Sequence, residues 1–322
     1  MMKMAMPLMP SMTTMTRMSS KLGSVSGLFR NRWRQLSVLF SVLVAAGAWS
    51  MSTSPQFREI TYTFSSPLTI TIWALGLVAT AGLLLSRYGL FPRYMMFNPV
   101  MGMALNMLIG SLVVGTNIPF YFDTLGTIVV AILYGPTLGM ATGLGSTVLS
   151  ASYAAHPLAF IPVSMFVGYI FGALAQRRMF RYVASTIVIG LLAGCLSGML
   201  AVYPMIYSLG GEGDIGREGL LNFYQMVTGN DRLAIICQAL TSDSIDKAFT
   251  VVAACLLIRF APAGLRSYAV YPGNAAIADS VFRENSESPG DGDGIRRGLR
   301  YMDRGISRYA AWLKPAKSET GE

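Results

Sequence analysis

Charged residues, histidine and cysteine are all scarce in this chain, and these scarcities exclude several classes of protein. Only 13% of its 322 residues are Asp, Glu, Lys or Arg, against 53% that are hydrophobic, whereas about 25% of residues are charged in soluble domains. The one histidine, His156, has no Ser or Cys with an Asp at hand, and the glycine-rich signatures of nucleotide-binding proteins are missing. We therefore predict an all-α polytopic membrane protein that is not an enzyme and does not itself hydrolyse ATP.

The three cysteines, Cys195, Cys237 and Cys255, all lie in apolar segments, and none belongs to a Cys-x-x-Cys pair. They indicate packing thiols rather than a disulfide framework or a zinc site, so no metal and no cofactor is predicted. Residues 1–20 contain eight methionines, whose thioethers suit copper(I). Because no His or Cys accompanies them, we favour a disordered tail or a start codon assigned too far upstream.

Long apolar runs are abundant instead, and eight of them are predicted to be membrane helices. A span needs about 17–25 residues, and the runs fall at 35–52, 68–85, 94–115, 120–134, 137–151, 158–175, 183–203 and 232–259. The first run has an alternative interpretation, because Ala46-Gly47-Ala48 after a basic flank resembles the cleavage site of a signal peptide. We favour a retained helix, which gives eight spans; cleavage would leave seven.

The distribution of positive charge predicts the orientation. The chain carries 25 Lys and Arg residues and a net charge of +9. Placing both termini in the cytoplasm puts every Lys and Arg in a cytoplasmic segment except Arg58, Arg217, Arg232 and Lys247. This agrees with the excess of positive residues in the cytoplasmic loops of membrane proteins. The basic charge therefore indicates a multi-pass protein of the cell membrane rather than a protein that binds nucleic acid.

Composition divides the chain into four segments. Residues 1–34 form a Met-rich and basic cytoplasmic segment, 35–93 hold two extra N-terminal helices, 94–261 form a six-helix core, and 262–322 form a cytoplasmic tail. Within the tail, residues 294–314 place apolar residues at helical spacing and accompany them with arginines. This basic amphipathic helix is predicted to lie on anionic lipids of the inner leaflet; docking on a partner subunit is the alternative.

A hairpin of two short spans, residues 117–151, organises the core. Asp123 opens the first span, and Gly135-Pro136 separates it from the second. A carboxylate beside hydrocarbon is costly, so it is retained where it has a partner, a ligand or a helix start. Two roles are open for Asp123: an N-cap that accepts the N–H of Leu125 or Gly126, or a cap that also lines a solute pocket.

The last span carries a second group of polar residues within the membrane. Asp243 and Lys247 are four residues apart and share a helix face, so they can form an ion pair, while Asp246 is one position off that face and can reach another element. With Asn117 and Asp123, these residues predict a polar pocket that faces outward. Aromatic residues on the same side suit either the pocket wall or an interfacial belt: Tyr121, Phe122, Tyr153, Tyr203, Tyr207, Phe223 and Tyr224.

Asn106 stands in the middle of the 94–115 run, so its amide requires partners inside the protein. Gly102, Ala104 and Gly110 surround it in sequence, and such small residues let a neighbouring helix approach closely. Ordinary helix packing and contact with another subunit are both open for this face.

Together these residues resemble the substrate-binding S components of energy-coupling factor (ECF) transporters. The resemblance covers about residues 94–261 and six spans, the number that this family uses. The stretches that carry it are Ala104-Leu-Asn106, Ile118-Pro-Phe-Tyr-Phe-Asp123-Thr-Leu-Gly-Thr, Leu133-Tyr-Gly-Pro136, Gly143-Leu-Gly and Asp246-Lys247.

The resemblance implies a subunit that captures a vitamin or other micronutrient outside the cell. It would work with a transmembrane T component and two cytoplasmic ATPases, and would topple in the membrane to release the solute inside. The expected substrate-binding residues are Asn117, Tyr121, Asp123, Asp243, Asp246 and Lys247. The family contacts its T component through an Ala-x-x-x-Ala pattern on the first core helix; here the residues at that place, and so the expected partner contacts, are Gly102, Asn106 and Gly110.

A function of a different class is also open. The two extra N-terminal spans and the basic tail depart from the minimal S component, and they suit a membrane sensor or scaffold that signals through its cytoplasmic tail. An integral membrane enzyme is the weakest alternative, because the sequence shows no catalytic set. No residue in the sequence fixes the substrate.

Overall fold

Helices and turns make up the part of the chain that the computed structural model describes, and no strand occurs in that part. The described residues are 12–59, 66–113, 122–152, 155–210, 218–262, 268–270 and 274–282, with the side chains of the first helix described from Arg30 onward. Asn117, Tyr121 and Tyr153, the Met-rich residues up to 11, and the predicted amphipathic helix 294–314 lie outside them.

Ten α-helices follow one another along these residues. They are α1 Met12–Ser52, α2 Pro55–Glu59, α3 Pro67–Ser86, α4 Phe97–Val113, α5 Leu125–Tyr134, α6 Pro136–Ser150, α7 Ile161–Gln176, α8 Val183–Tyr207, α9 Glu218–Thr228 and α10 Asp231–Phe260. Short 3₁₀ helices, Arg93–Met96 and His156–Phe160, lead into α4 and α7, and a single-turn helix, Ala275–Ser280, follows α10. Each of the eight predicted runs contains a helix.

Five of these segments are long and apolar enough to cross a membrane, which indicates a multi-pass membrane protein. They are Arg30–Ser52, Pro67–Ser86, Arg93–Val113, His156–Gln176 and Val183–Tyr207. The helices α5 and α6 have only 10 and 15 residues, about 15 and 22 Å against a hydrocarbon core of about 30 Å. The helix α10 is also absent from these five segments: it is long enough, with 30 residues, but it carries charged side chains within it.

The first helix is longer than its predicted run of 35–52, because α1 begins at Met12 and includes the basic flank. It packs along α3, where Ser37 Oγ donates a hydrogen bond to the carbonyl oxygen of Gly82 at 2.9 Å. Ala45 and Ala48 of α1 are buried. The residues of this segment are thus helical and packed against α3, and whether they are retained or cleaved stays a prediction.

The second N-terminal helix, α3, is bonded to α6 at both of its ends. Trp73 of α3 donates its indole N–H to the carbonyl oxygen of Val148 at 2.8 Å. That carbonyl lies in the last turn of α6, where helix carbonyls lack partners of their own. At the other end, the Arg87 guanidinium donates to the Thr137 hydroxyl. The two extra N-terminal helices therefore pack with the rest of the bundle, α1 on α3 and α3 on α6.

The hairpin turn predicted at Gly135-Pro136 is confirmed and defines two sides of the bundle. Gly135 has a φ of 89°, a conformation that favours glycine, and Pro136 is the first residue of α6. We call the side at the start of α5 the Asp123 side and the side of this turn the Gly135 side. The central helix α5 contacts α4, α6, α7 and α10.

Candidate functional site

The start of α5 lies beside the middle of α10 and not beside the first residue of α10. The predicted span started at residue 120, but the helix begins at Leu125, because Phe122 has a φ of 51° and this left-handed conformation interrupts a helix. The backbone N–H of Phe122 donates to Oδ1 of Asp246 at 3.0 Å. Asp246 lies about 22 Å from the start of α10, so α10 continues for about that length toward the Asp123 side beyond the start of α5.

The predicted helix cap at Asp123 is wrong, because a residue of another helix caps α5. The N–H of Gly126 donates to Oδ1 of Asn106 on α4 at 2.6 Å, and the N–H of Leu125 bonds to the carbonyl oxygen of Phe122 at 3.2 Å. Neither N–H is left for the Asp123 carboxylate. Of the roles proposed for Asp123, capping of α5 is therefore not observed, and the lining of a solute pocket stays a prediction.

The Asn106 amide connects three helices. In addition to accepting from Gly126, it donates through Nδ2 to the hydroxyls of Thr127 on α5 and Ser146 on α6, both at 2.8 Å. Asn106 is 2% exposed, and all of its hydrogen-bonding groups are used. Since an unsatisfied buried amide is costly, this satisfied network fixes the start of α5 between α4 and α6.

Gly102 and Asn106, the expected partner contacts, face the interior of the chain. A Cβ atom added to Gly126 would lie 2.1 Å from the carbonyl oxygen of Gly102, so α4 and α5 touch through these two glycines. Gly110 lies near Asp123, whose Cβ would be 3.7 Å from a Cβ placed on that glycine. Intramolecular packing, the alternative interpretation for this face, is what the structure contains. The exposed apolar residues of α4 are Phe97, Val100, Met101, Leu108 and Leu112.

Asp246 and Lys247, adjacent on α10, form a buried ion pair. One carboxylate oxygen of Asp246 contacts the ammonium, and the other accepts the Phe122 N–H. The charge of Lys247 also interacts with the carboxylates of Asp243 and Asp123. We call Asp123, Asp243, Asp246 and Lys247 the Lys247 cluster.

The Lys247 cluster has three carboxylates for one ammonium and is therefore acidic when all four groups are ionised. Asp246, Asp243 and Lys247 are buried, whereas Asp123 is exposed. Buried charges require pairing, and the positive end of the α5 dipole lies next to Asp246. Because carboxylate oxygens accept hydrogen bonds and attract positive charge, the cluster is suited to a cation or to a hydrogen-bond donor.

Four of the six predicted substrate-binding residues meet in this cluster, although they come from two distant segments. Asn117 and Tyr121 are outside the described residues. Among the predicted aromatic residues, Tyr203 lies 5.5 Å from Trp49 and 4.7 Å from Tyr207, measured between ring centroids, and both tyrosines are exposed at the end of α8. This placement suits an interfacial belt.

Sequence reasoning missed Gln238. It is fully buried, and among the described residues neither its Nε2 nor its Oε1 has a hydrogen-bond partner. The hydroxyl of Thr124, at the start of α5, is likewise buried without a partner there. The spacing Gln238-x-x-x-Ser242-x-x-x-Asp246 was the available signal, because it places three polar side chains on one helix face.

Comparison of the chain with known proteins gives no guide to its function. No family model, no curated protein and no solved structure matches it. Within the described residues, no group of three or more His, Cys, Asp or Glu is arranged to hold a metal ion.

Proposed function

We propose that this chain is the solute-binding subunit of an ECF-type importer and captures a vitamin or other micronutrient outside the cell. The observation that carries the proposal is the hydrogen bond between Phe122 and Asp246, residues 124 positions apart in the chain. This bond brings Asp123 close to Asp243 and Asp246 on α10. Because the bilayer penalises buried charges, charged residues at this depth are expected to have a partner or a ligand.

The proposed orientation has the Asp123 side facing outward. Arginines cluster at helix ends on the Gly135 side, at Arg87, Arg177, Arg178 and Arg259, and positive residues accumulate in cytoplasmic loops. The exposed Asp123 then meets solute from outside, and the buried Asp243 and Asp246 hold its cationic or hydrogen-bond-donating group. Lys247 limits the negative charge that must be buried when the site is empty.

Release on the inner side requires a second orientation or conformation, and its free energy must come from a partner. The sequence contains no nucleotide-binding signature, so a T component and two ATPases are the proposed source. Because Gly102 and Asn106 are buried, the exposed face of α4, with Met101, Leu108 and Leu112, is the surface we propose for the T component.

Substitution of the exposed Asp123 tests this function with little disturbance of the fold. Purified protein in nanodiscs is analysed by mass spectrometry for retained small molecules, and the thermal shift caused by each of a panel of micronutrients is measured. We expect Asp123→Asn to weaken binding of the retained solute at least tenfold. The matched control is Asp231→Asn, which changes an exposed carboxylate about 22 Å from Asp246 along α10. A wild-type protein that retains no solute and shows no thermal shift contradicts the proposal.

A membrane sensor or scaffold is the second candidate, because the start of the C-terminal tail is bound to the core. Asn274 donates to the carbonyl oxygen of Leu133 at 2.7 Å, and Phe282 N–H donates to that of Phe180 at 3.1 Å. Ala278 and Val281 are buried. These contacts connect the Gly135 end of α5 with the start of the tail.

Deletion of residues 283–322 separates the two candidates, since it keeps these anchoring contacts. An importer subunit retains solute binding and uptake without the tail, whereas a sensor loses its output while binding persists. Proteins that copurify with the full chain give an independent answer: ATPase subunits support the importer, and a kinase or other regulator supports the sensor.

A further inference from the structure

Gln238 presents an unpaired amide on the same face of α10 as the Lys247 cluster. Gln238, Ser242 and Asp246 follow at intervals of four residues and are 0%, 1% and 0% exposed. Residues at this spacing share one helix face, and Gln238 lies about 12 Å from Asp246 toward the Asp123 side. The three side chains therefore form one polar row that leads from the Lys247 cluster toward the proposed entrance.

The surroundings of Gln238 make its unpaired state unfavourable. Its neighbours on α10, Ala234, Ile235 and Ala239, belong to an apolar cluster with Met205 and Leu221. A buried amide without a partner loses the hydrogen bonds that it makes with water. Native proteins pair the large majority of such groups, so an unpaired one requires a water molecule, a ligand or another specific explanation.

The position of α5 leaves this part of α10 without a neighbour from that helix. Because α5 begins at the level of Asp246, it does not extend along the turn that carries Gln238. The Thr124 hydroxyl, which has no hydrogen-bond partner among the described residues, is at the start of α5, next to the same stretch of α10. Two helices thus supply unpaired polar groups around the end of α5, next to the exposed Asp123.

We propose that Gln238 contacts the solute directly and recognises a planar edge with an N–H beside a carbonyl, as found in amides and lactams. A primary amide offers one donor and one acceptor side by side, and such an edge pairs with both. This inference rests on the proposed solute-binding function and narrows its substrate class. The acidic Lys247 cluster then holds a donor or cationic group at the other end of the solute.

Binding by Gln238→Leu tests the inference, with probes that differ only in the amide-type edge. The probes are nicotinamide against 3-acetylpyridine and uracil against 1,3-dimethyluracil, together with any solute retained by the purified protein. We expect the edge-bearing member to bind wild type at least tenfold more tightly than its analogue, and we expect Gln238→Leu to lose this preference. Gln225→Leu is the matched control, because Gln225 on α9 already has a partner in Asp231, at 3.1 Å.

Without ligand, Gln238→Leu is expected to gain stability, although the same substitution weakens solute binding. Removing an unpaired buried amide is expected to raise the melting temperature of Gln238→Leu, while solute binding weakens. Equal binding of a retained solute by wild type and Gln238→Leu overturns the inference and leaves the proposed function intact. Absence of any bound or retained solute overturns both.

Cysteine accessibility provides a readout that needs no ligand. Although Gln238 is buried in this structure, the proposal requires that a solute can reach it from water. In a variant whose three native cysteines are replaced by alanine, Gln238→Cys is therefore expected to react with a small water-soluble thiol reagent. Ala239→Cys, at a buried position whose backbone lies against Gly198 of α8, is expected not to react. An unreactive Gln238→Cys shows that Gln238 has a packing role and overturns the proposal. The proposal is likewise overturned if Gln238→Leu keeps the solute preference and loses only a bound water.

Discussion

Two polar side chains from other helices hold the first turn of α5 and the residues just before it. Asn106 on α4 accepts the Gly126 N–H, and Asp246 on α10 accepts the Phe122 N–H. The first N–H groups of a helix have no partners within it, and in a membrane interior water does not supply them. These two residues therefore position Asp123 in the Lys247 cluster.

At the residue scale, Asn106→Leu is expected to destabilise the protein by about 1–3 kcal/mol, because the buried Gly126 N–H loses its acceptor. The measurement is the unfolding free energy of the purified protein in a denaturing-detergent titration. Ser111→Leu, the same kind of change at an exposed position of α4, serves as the control. Equal stability of the two variants would mean that α5 can be capped in another way.

Close contacts between small residues set the distances between helices. Along α8, Gly190, Gly194 and Gly198 face the backbone of α10, and a Cβ at Gly194 would lie 2.3 Å from the carbonyl oxygen of Asp243. On the other side of the bundle, Gly139 of α6 meets Gly168 of α7. Such contacts let backbones approach where lipid provides no hydrophobic driving force, and they place the polar row of α10 at a fixed position.

At the element scale, Gly194→Ala is expected to lower the unfolding free energy by about 1–3 kcal/mol, because α8 and α10 must separate to admit the methyl group. Gly47→Ala in α1 is the matched control, since no atom lies within 4 Å of a Cβ at that position. Alanine favours a helix over glycine, so the control should be unchanged or slightly more stable. Identical melting curves for the two variants would contradict the close α8–α10 contact.

The whole molecule combines the extra N-terminal helices, the core and the start of the tail. Trp73 and Arg87 tie α3 to the two ends of α6, and residues 274–282 are bound to the Gly135 side of the core. The arginine-rich helix ends share that side. The proposed import function depends on which side faces outward.

Single-cysteine labelling measures this orientation. In a background without Cys195, Cys237 and Cys255, Ser152→Cys on the Asp123 side is expected to react with a membrane-impermeant thiol reagent in intact cells. Arg177→Cys on the Gly135 side is expected to react only after the membrane is opened. Both positions are exposed. The reverse pattern would place the Lys247 cluster toward the cytoplasm and contradict the importer.

Positions of helices were predictable, but their exact ends and caps were not. The Gly135 turn followed from a local pattern, because glycine and proline act on their own backbone. The start of α5 was predicted at residue 120 instead of Leu125, because the apolar run continues through residues that the helix does not include. The cap was assigned to the nearest carboxylate, Asp123, although the acceptor, Asn106, lies 20 residues earlier in the chain.

The sequence by itself determined a membrane-type all-α chain, the order of its helices and the hairpin turn. These follow from apolar run length and from residues that act on their neighbours in the chain. Only the tertiary structure decided that Asp246 meets Phe122, that Asn106 caps α5 and that the Gln238 amide has no partner among the described residues. The reason is that such contacts depend on the relative depth of helices far apart in sequence, and helical periodicity gives the face of a residue but not the depth of its partner.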